Sequence, residues 1–213
     1  MTKSGSRSDL AVLVFGGRRA PRALAGLRAV PVESDGQIAD EITGAGRVAV
    51  VGTEADLAAV LTGLLRTERL DVEVAHVCGL RSARRAVTGS ARRVPLIRDD
   101  TATALVGSAL WLPPEGAAVL RGEAIVDDTE LFDGDVAGVR IEPTSAMPGL
   151  RAAVLVRPAG LTGPTARPRR WAGGRAAQLG TTGARVVRDG VPGRRDVRRS
   201  TFYRHTQGWL RVG

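Results

Sequence analysis

The sequence predicts a protein of two parts, an α/β half followed by an all-β half. In the first part, short apolar runs alternate with helical patterns of about ten residues, which is typical of a parallel, doubly wound sheet. After residue 93 the helical periodicity ends, and short β-type runs are separated by turn residues. We therefore predict a Rossmann-like parallel sheet with helices in residues 1–93 and an antiparallel β-sandwich-like domain in residues 94–213.

The predicted elements of the first domain follow from its apolar spacing. Leu10–Phe15 has the length and composition of a buried strand, and residues 48–65 form an apolar strand, a turn that begins at Gly52 and an amphipathic helix. Such a strand, turn and helix is where α/β folds bind phosphates. The predicted strands are 10–15, 30–32, 47–51 and 71–77, and the predicted helices are 20–28, 34–43, 54–66 and 79–88.

In the second domain, turns rich in proline, glycine and aspartate separate the predicted strands. Residues 127–135 are predicted to form an acidic hairpin, and residues 160–170, rich in Pro, Gly, Thr and Arg, a mobile loop. The predicted strands are 103–112, 118–126, 136–142, 151–157, 175–179, 185–188 and 196–204.

Composition limits the class of protein. No window has the roughly 18 to 20 consecutive apolar residues of a membrane span, and the first eight residues are polar. The single cysteine, Cys78, cannot form a disulfide within the chain. These features predict a cytoplasmic protein whose association with a membrane, if any, is peripheral.

Positive charge is concentrated in the last third of the chain. The net charge is +9, and residues 151–213 hold fourteen arginines and only two aspartates. Segment 194–209 interleaves arginines with aromatic residues, as proteins that bind nucleic acid or anionic headgroups do. The same pattern would also arise from a coding bias toward arginine and from aromatic residues that fill a β-domain core, so the sequence leaves all three open.

The common catalytic motifs are absent from the sequence. The two histidines, His76 and His205, are far apart, and there is no Gly-x-Ser-x-Gly elbow and no His-Glu-x-x-His zinc motif. His76, at the end of an apolar strand, is interpreted as a core or rim residue. The acidic pairs 99–100 and 127–128 lie at predicted strand ends and are interpreted as turn residues.

Several short motifs resemble the diacylglycerol kinase and lipid kinase family, which shares its nucleotide domain with NAD kinases. The family's Gly-Gly-Asp-Gly-Thr turn corresponds to residues 52–56, Gly-Thr-Glu-Ala-Asp, and the helix that follows matches well. A second family element corresponds to residues 75–84, where Gly79, Ala83 and Arg84 agree. Residues 187–192 resemble the Asp-Gly turn near the family's acceptor pocket. The resemblance implies an α/β nucleotide domain joined to a β domain.

The residues that carry the family's chemistry are changed at both nucleotide loops. Glycines let main-chain amides converge on a phosphate, and here Thr53 and Ala55 replace two of them. Leu80 and Arg81 replace a polar Asn-Asp pair. On this resemblance we expect a non-catalytic, regulatory or structural protein, without a cofactor, that binds an anionic ligand or lipid headgroup. The expected ligand-binding residues are Gly52, Thr53, Glu54, Asp56, Gly79, Arg81, Arg84, Asp189 and Arg198.

Three alternatives remain at the level of sequence. Glu54 and Asp56 could serve only to cap helix 54–66 and to interact with its dipole. The protein could instead be an active lipid or small-molecule kinase that uses ATP and Mg²⁺, with Glu54 as metal ligand or general base. The basic C-terminal domain could form a nucleic-acid-binding or assembly module, and a protein partner or a homo-oligomer also stays open.

Overall fold

The computed structural model describes residues 9–156 and 167–213. The described residues form two compact units, one of residues 9–94 and 207–213 and one of residues 95–156 and 167–206. Residues 160–166 of the predicted mobile loop 160–170 lie outside the described residues. Residues 167–170 are described and form the start of a strand.

The described chain is rich in strands. Its three α-helices are α1 (Asp35–Thr43), α2 (Glu54–Arg66) and α3 (Leu80–Thr88). Its strands are, in chain order, β1 (Leu10–Phe15), β2 (Ala29–Val32), β3 (Arg47–Val51), β4 (Glu73–His76), β5 (Ala91–Val94), β6 (Ile97–Asp99), β7 (Ala104–Leu105), β8 (Ala109–Leu112), β9 (Leu120–Val126), β10 (Thr129–Val136), β11 (Val139–Pro143), β12 (Leu150–Val156), β13 (Arg167–Gly174), β14 (Ala176–Arg188), β15 (Val191–Pro192), β16 (Val197–Arg204) and β17 (Trp209–Val212).

The first unit contains a six-stranded sheet in the order β2-β1-β3-β4-β17-β5. Strands β1, β2, β3, β4 and β17 run parallel, and β5 is antiparallel to β17. This arrangement confirms the predicted parallel sheet with helices. No α-helix forms at residues 20–28, so this prediction is wrong. A single 3-10 turn, Arg22–Leu24, follows Pro21 there. The helical geometry ends because Gly26 has a left-handed φ of 82°.

Both faces of the central strands β1 and β3 are buried, which explains their continuous apolar runs. Ala49 and Val51 of β3 pack in a cluster with Ala83 and Ala86 of α3. The alternating residues of β3 point to the opposite face and are also buried. On α2, the position of Gly63 leaves room for Ile38 and Ile42 of α1, since an added Cβ would lie 3.3 Å from each.

The second unit is an antiparallel β structure, as predicted. Its main path runs in the order β13-β12-β11-β8-β14-β16-β6-β7, with β9, β10 and β15 attached beside it. The thirteen-residue strand β14 joins its parts: the first half pairs with β9 and β16, and the second half with β8 and β15. The sequence predicts two strands here. A shift of register between Gly180 and Ala184 lies where the prediction has a break.

Large apolar side chains fill the core of the second unit. Trp111 and Phe202 are buried with ring centroids 6.0 Å apart, and the indole nitrogen of Trp111 donates to the hydroxyl of Ser200 at 3.0 Å. Phe202 therefore serves the core, one of the alternatives left open for the C-terminal aromatics.

The last strand returns to the first unit, which differs from the predicted domain assignment. Trp209–Val212 lies between β4 and β5, and Trp209 is buried there. The sequence pattern places the whole of 94–213 in one domain because a four-residue strand gives no signal of the sheet that it joins. No helix in residues 9–156 and 167–213 is both long and apolar enough to cross a bilayer.

Asp99 is a buried carboxylate that organises one edge of the second unit. Its Oδ1 accepts hydrogen bonds from the amides of Thr101 and Thr103, each at 2.9 Å, and its Oδ2 accepts one from Nε of Arg188 at 2.6 Å. The predicted turn role of the pair 99–100 thus includes a long-range ion pair to β14.

We expect Asp99→Ala to lower the free energy of unfolding by about 3 kcal/mol, because it leaves Arg188 and two amides without their acceptor. Urea unfolding followed by circular dichroism would measure it. Asp133→Ala on exposed β10 is the matched control and should change stability by less than about 0.5 kcal/mol. Equal losses in the two variants would contradict the role assigned to Asp99.

Candidate anion site at the edge of the parallel sheet

The candidate site lies at the carboxyl edge of the parallel sheet, where α/β folds bind ligands. Strands β3 and β4 are neighbours, so the turn after β3, which begins at Gly52, lies beside the turn after β4, which contains Gly79. The ring of His76 at the end of β4 joins the two turns, because its Nε2 lies 3.1 Å from the carbonyl oxygen of Gly52. The structure thus brings together two segments that the sequence predicts as one site.

The turn after β3 is closed by a reciprocal cap between Thr53 and Asp56. Oδ2 of Asp56 accepts hydrogen bonds from the amide of Thr53 at 2.7 Å and from its hydroxyl at 2.8 Å. In return, the hydroxyl oxygen of Thr53 accepts from the amide of Asp56 at 3.2 Å. Thr53 is extended, with φ of −85° and ψ of 176°. Two amides at the start of α2 are therefore used within the turn itself.

The Asp56 carboxylate also occupies the space beside Gly52. A Cβ added at Gly52 would lie 2.5 Å from Oδ2 of Asp56 and 2.8 Å from its Cβ. Arg18 is the nearest compensating charge in the described chain, at 3.8 Å from Oδ2. A phosphate approaching Gly52 would meet a carboxylate instead of converging amides, so the turn does not fit a nucleotide phosphate.

Glu54, the candidate metal ligand or base, is the first residue of α2 and is exposed. Its carboxylate forms no hydrogen bond or ion pair within the described chain. Among those same residues, no group of three or more His, Cys, Asp or Glu side chains lies close enough together to hold a metal ion. Asp56 has the capping role that the sequence leaves open, and Glu54 adds negative charge to the first turn.

The turn after β4 is held by Ser82. Its hydroxyl oxygen accepts hydrogen bonds from the amides of Cys78 and Gly79, both at 2.9 Å, and donates to the carbonyl of Gly79 at 2.8 Å. Gly79 is extended, with φ of 172°, so this position does not require glycine. Arg81 and Arg84 are exposed on α3, the helix that begins here.

His76 and Cys78 form a contact that sequence reasoning missed. The carbonyl oxygen of Gly52 can only accept, so Nε2 of His76 carries the proton of that hydrogen bond. Nδ1 then faces Sγ of Cys78 at 3.4 Å. His76 is half-buried at the strand end, where the sequence predicts a core or rim residue. Its bond to the neighbouring turn depends on the β3–β4 register, which the sequence does not show.

Two further basic residues adjoin this edge and were not predicted. Gly16 and Gly17 follow β1 with φ of 61° and 65°, and the exposed Arg18 and Arg19 come next. Strand β1 is the other neighbour of β3, so this loop starts from the same sheet edge as the turns after β3 and β4. The sequence signal that indicates these residues is a pair of arginines directly after a glycine turn.

The remaining candidates, Asp189 and Arg198, lie in the second unit. Asp189 accepts hydrogen bonds from the amides of Val106, Gly107 and Ser108 at 3.1, 2.7 and 3.0 Å. Its carboxylate thus holds the chain before β8 against the end of β14. Arg198 is exposed on β16.

Comparison with known proteins identifies the fold. No family model and no curated protein matches the sequence. Among solved structures, a diacylglycerol kinase from Bacillus anthracis superposes with a TM-score of 0.69 at 8% sequence identity, covering 96% of each chain. An NAD kinase from Archaeoglobus fulgidus, solved in complex with ATP, superposes with a TM-score of 0.60 at 13% identity, covering 96% of this chain and 93% of its own. The protein has the fold of these kinases.

Within this fold the turn after β3 has a chemistry of its own. At such low identity the likeness shows the fold alone, so the function of the site depends on its own residues. Those residues are a capped turn at Gly52–Asp56, an exposed Glu54 and arginines on the neighbouring loop and helix.

We expect Gly52→Ala to destabilise the protein by about 1 to 2 kcal/mol, because the new Cβ displaces the Asp56 carboxylate and breaks its cap on α2. Gly79→Ala is the matched control: in the described chain nothing lies within 4 Å of its added Cβ, and its φ suits any residue. Thermal unfolding would compare the two. Similar melting temperatures for both variants would show that the Asp56 carboxylate moves away freely.

Proposed function

We propose that the protein is a non-catalytic member of the kinase fold that binds an anionic ligand, such as the phosphate of a lipid headgroup, at the carboxyl edge of its parallel sheet. The observation that carries the proposal is the Asp56 carboxylate beside Gly52, bonded to the amide of Thr53 at 2.7 Å. The amide that a phosphate loop would offer to its ligand is already used.

Charge supports the loss of phosphoryl transfer. Glu54 and Asp56 place two carboxylates in the first turn of α2, and within the described residues only Arg18, at 3.8 Å, compensates one of them. Transfer of a phosphoryl group requires positive charge or metal around the reacting phosphate. The carboxylates of Glu54 and Asp56 give this turn negative charge instead.

The arginines beside the turn support binding of an anion nearby. Arg81 and Arg84 extend from α3, whose N-terminal end carries the positive end of the helix dipole. Arg19 follows the glycine turn after β1 and is exposed. A headgroup phosphate could contact these side chains without approaching Gly52, which fits a role in recruitment or regulation.

We expect no transfer of radiolabelled phosphate from ATP and Mg²⁺ to diacylglycerol or related lipids, and we expect Glu54→Ala to leave the background unchanged. The reason is that the amide of Thr53 is taken by Asp56 and that two carboxylates lie in the first turn of α2. Thin-layer separation of the lipid products would measure transfer. Turnover that disappears in Glu54→Ala would overturn the proposal and support the active-kinase alternative.

We expect flotation with phosphatidylcholine vesicles that contain phosphatidic acid, and none with phosphatidylcholine alone. Arg81→Gln combined with Arg84→Gln should weaken this binding about tenfold or more, because each arginine near an anionic surface contributes about 1 kcal/mol. Arg92→Gln combined with Arg211→Gln removes the same charge from exposed positions on β5 and β17 and serves as the control. Equal weakening in both double variants would show that vesicle binding depends only on net charge, and it would contradict a site on α3.

A nucleic-acid-binding function is the second candidate, favoured by exposed arginines of the second unit. They lie on β13, β16 and the segment before β16: Arg167, Arg169, Arg170, Arg194, Arg195, Arg198 and Arg199. Binding to phosphates of a nucleic acid would weaken steeply as salt rises. Fluorescence anisotropy with single-stranded DNA and RNA at increasing salt distinguishes this function, since an absent or salt-insensitive signal removes it.

A further inference from the structure

A group of three polar side chains lies on one face of the second unit. Arg98 of β6 and Tyr203 of β16 are directly paired in register, and the Arg98 guanidinium lies 4.6 Å from the centre of the Tyr203 ring. His205 follows two residues later on the same face, and its amide donates to the carbonyl of Leu96, next to β6. We call Arg98, Tyr203 and His205 the Arg98 patch.

The hydrogen-bonding capacity of the patch is unused within the described chain. Nε of Arg98 is buried and has no hydrogen-bond partner there. Within residues 9–156 and 167–213, neither the rest of its guanidinium, nor the hydroxyl of Tyr203, nor the ring of His205 forms a hydrogen bond or ion pair. A buried donor without an acceptor is costly in a native protein and requires a physical reason.

The electrostatics of the patch favour a negative ligand. Burial, together with the positive charge of Arg98, holds the pKa of His205 below its ordinary value of 6.5. The exposed Arg199 lies on the same face of β16 and has the same sign. The carboxylate next to Arg98 in sequence, Asp99, is buried and bonded to Arg188. Arg98 is thus the positive group of the patch, and no carboxylate of the described residues is bonded to it.

We infer that the Arg98 patch is a binding site for a phosphate group, held by the Arg98 guanidinium and by His205, with the Tyr203 hydroxyl as a further donor. Guanidinium groups bind phosphate through paired N–H donors, and the outer nitrogens of Arg98, which have no partner in the described chain and are not buried, are the donors that a phosphate can reach. The ring of Tyr203 positions the guanidinium through a cation–π contact. This site is separate from the anion site proposed on α3 and does not depend on it.

The test is an NMR titration of His205 in the full chain, assigned with His205→Gln. Addition of inorganic phosphate should raise the pKa of His205, because a bound anion stabilises the imidazolium. In Arg98→Gln the pKa should be higher before phosphate is added, since the like charge is gone, and phosphate should then cause little further change. Phosphate affinity should fall about tenfold or more in that variant, as expected for loss of a charge-assisted hydrogen bond.

Controls separate the patch from general effects of charge and folding. Arg92→Gln removes one exposed arginine of the first unit and should retain the full response to phosphate. Tyr203→Phe keeps the stacked ring, and it should preserve the fold while weakening phosphate binding. Circular dichroism verifies that each variant is folded.

A second arm identifies the source of the phosphate. Vesicles of phosphatidylcholine with phosphatidic acid, compared with phosphatidylcholine alone, are titrated against the wild type and Arg98→Gln. Loss of vesicle binding in Arg98→Gln would assign the patch to a headgroup, and a response to inorganic phosphate alone would assign it to a small phosphorylated molecule. If neither probe changes the pKa of His205, or if Arg98→Gln responds like the wild type, the inference is wrong.

Discussion

The cap between Asp56 and Thr53 fixes the start of α2 at the carboxyl edge of the parallel sheet. In a phosphate loop the amides at the start of the helix are left for the ligand, and glycines keep the approach open. Here one side chain takes the amide of Thr53 and lies beside Gly52. The start of α2, whose amides would otherwise be available to an anion, is capped by the side chains of Thr53 and Asp56. In the proposed function, the anion is bound by the neighbouring segments, where Arg19, Arg81 and Arg84 are exposed.

Carboxylates of the second unit are used in a similar way, to hold turns. Asp99 and Asp189 each accept main-chain amides of a nearby segment, and Asp127 accepts those of Arg175 and Ala176. Each connects segments that belong to different strands.

The sequence predicts those elements whose signals are local. Strand β3 and helix α2 have the predicted bounds, because an apolar run and a capped amphipathic helix are defined by adjacent residues. Strand β13, with the polar sequence Arg-Pro-Arg-Arg, has no such pattern and was missed. In the site, the sequence pattern includes the cap by Asp56 as one alternative. The bond from His76 to Gly52 cannot be predicted from that pattern, because the bond depends on how two strands align.

The position of β17 has a consequence for how the protein is made. This strand fills the gap between β4 and β5, yet it is synthesised after the whole second unit. Until then β4 has a bare edge, and β5 has no neighbour in the sheet. Pairing across more than a hundred residues is slow because of the entropy of closing the chain. The first unit emerges first from the ribosome but completes its sheet last, so an exposed strand edge persists during synthesis.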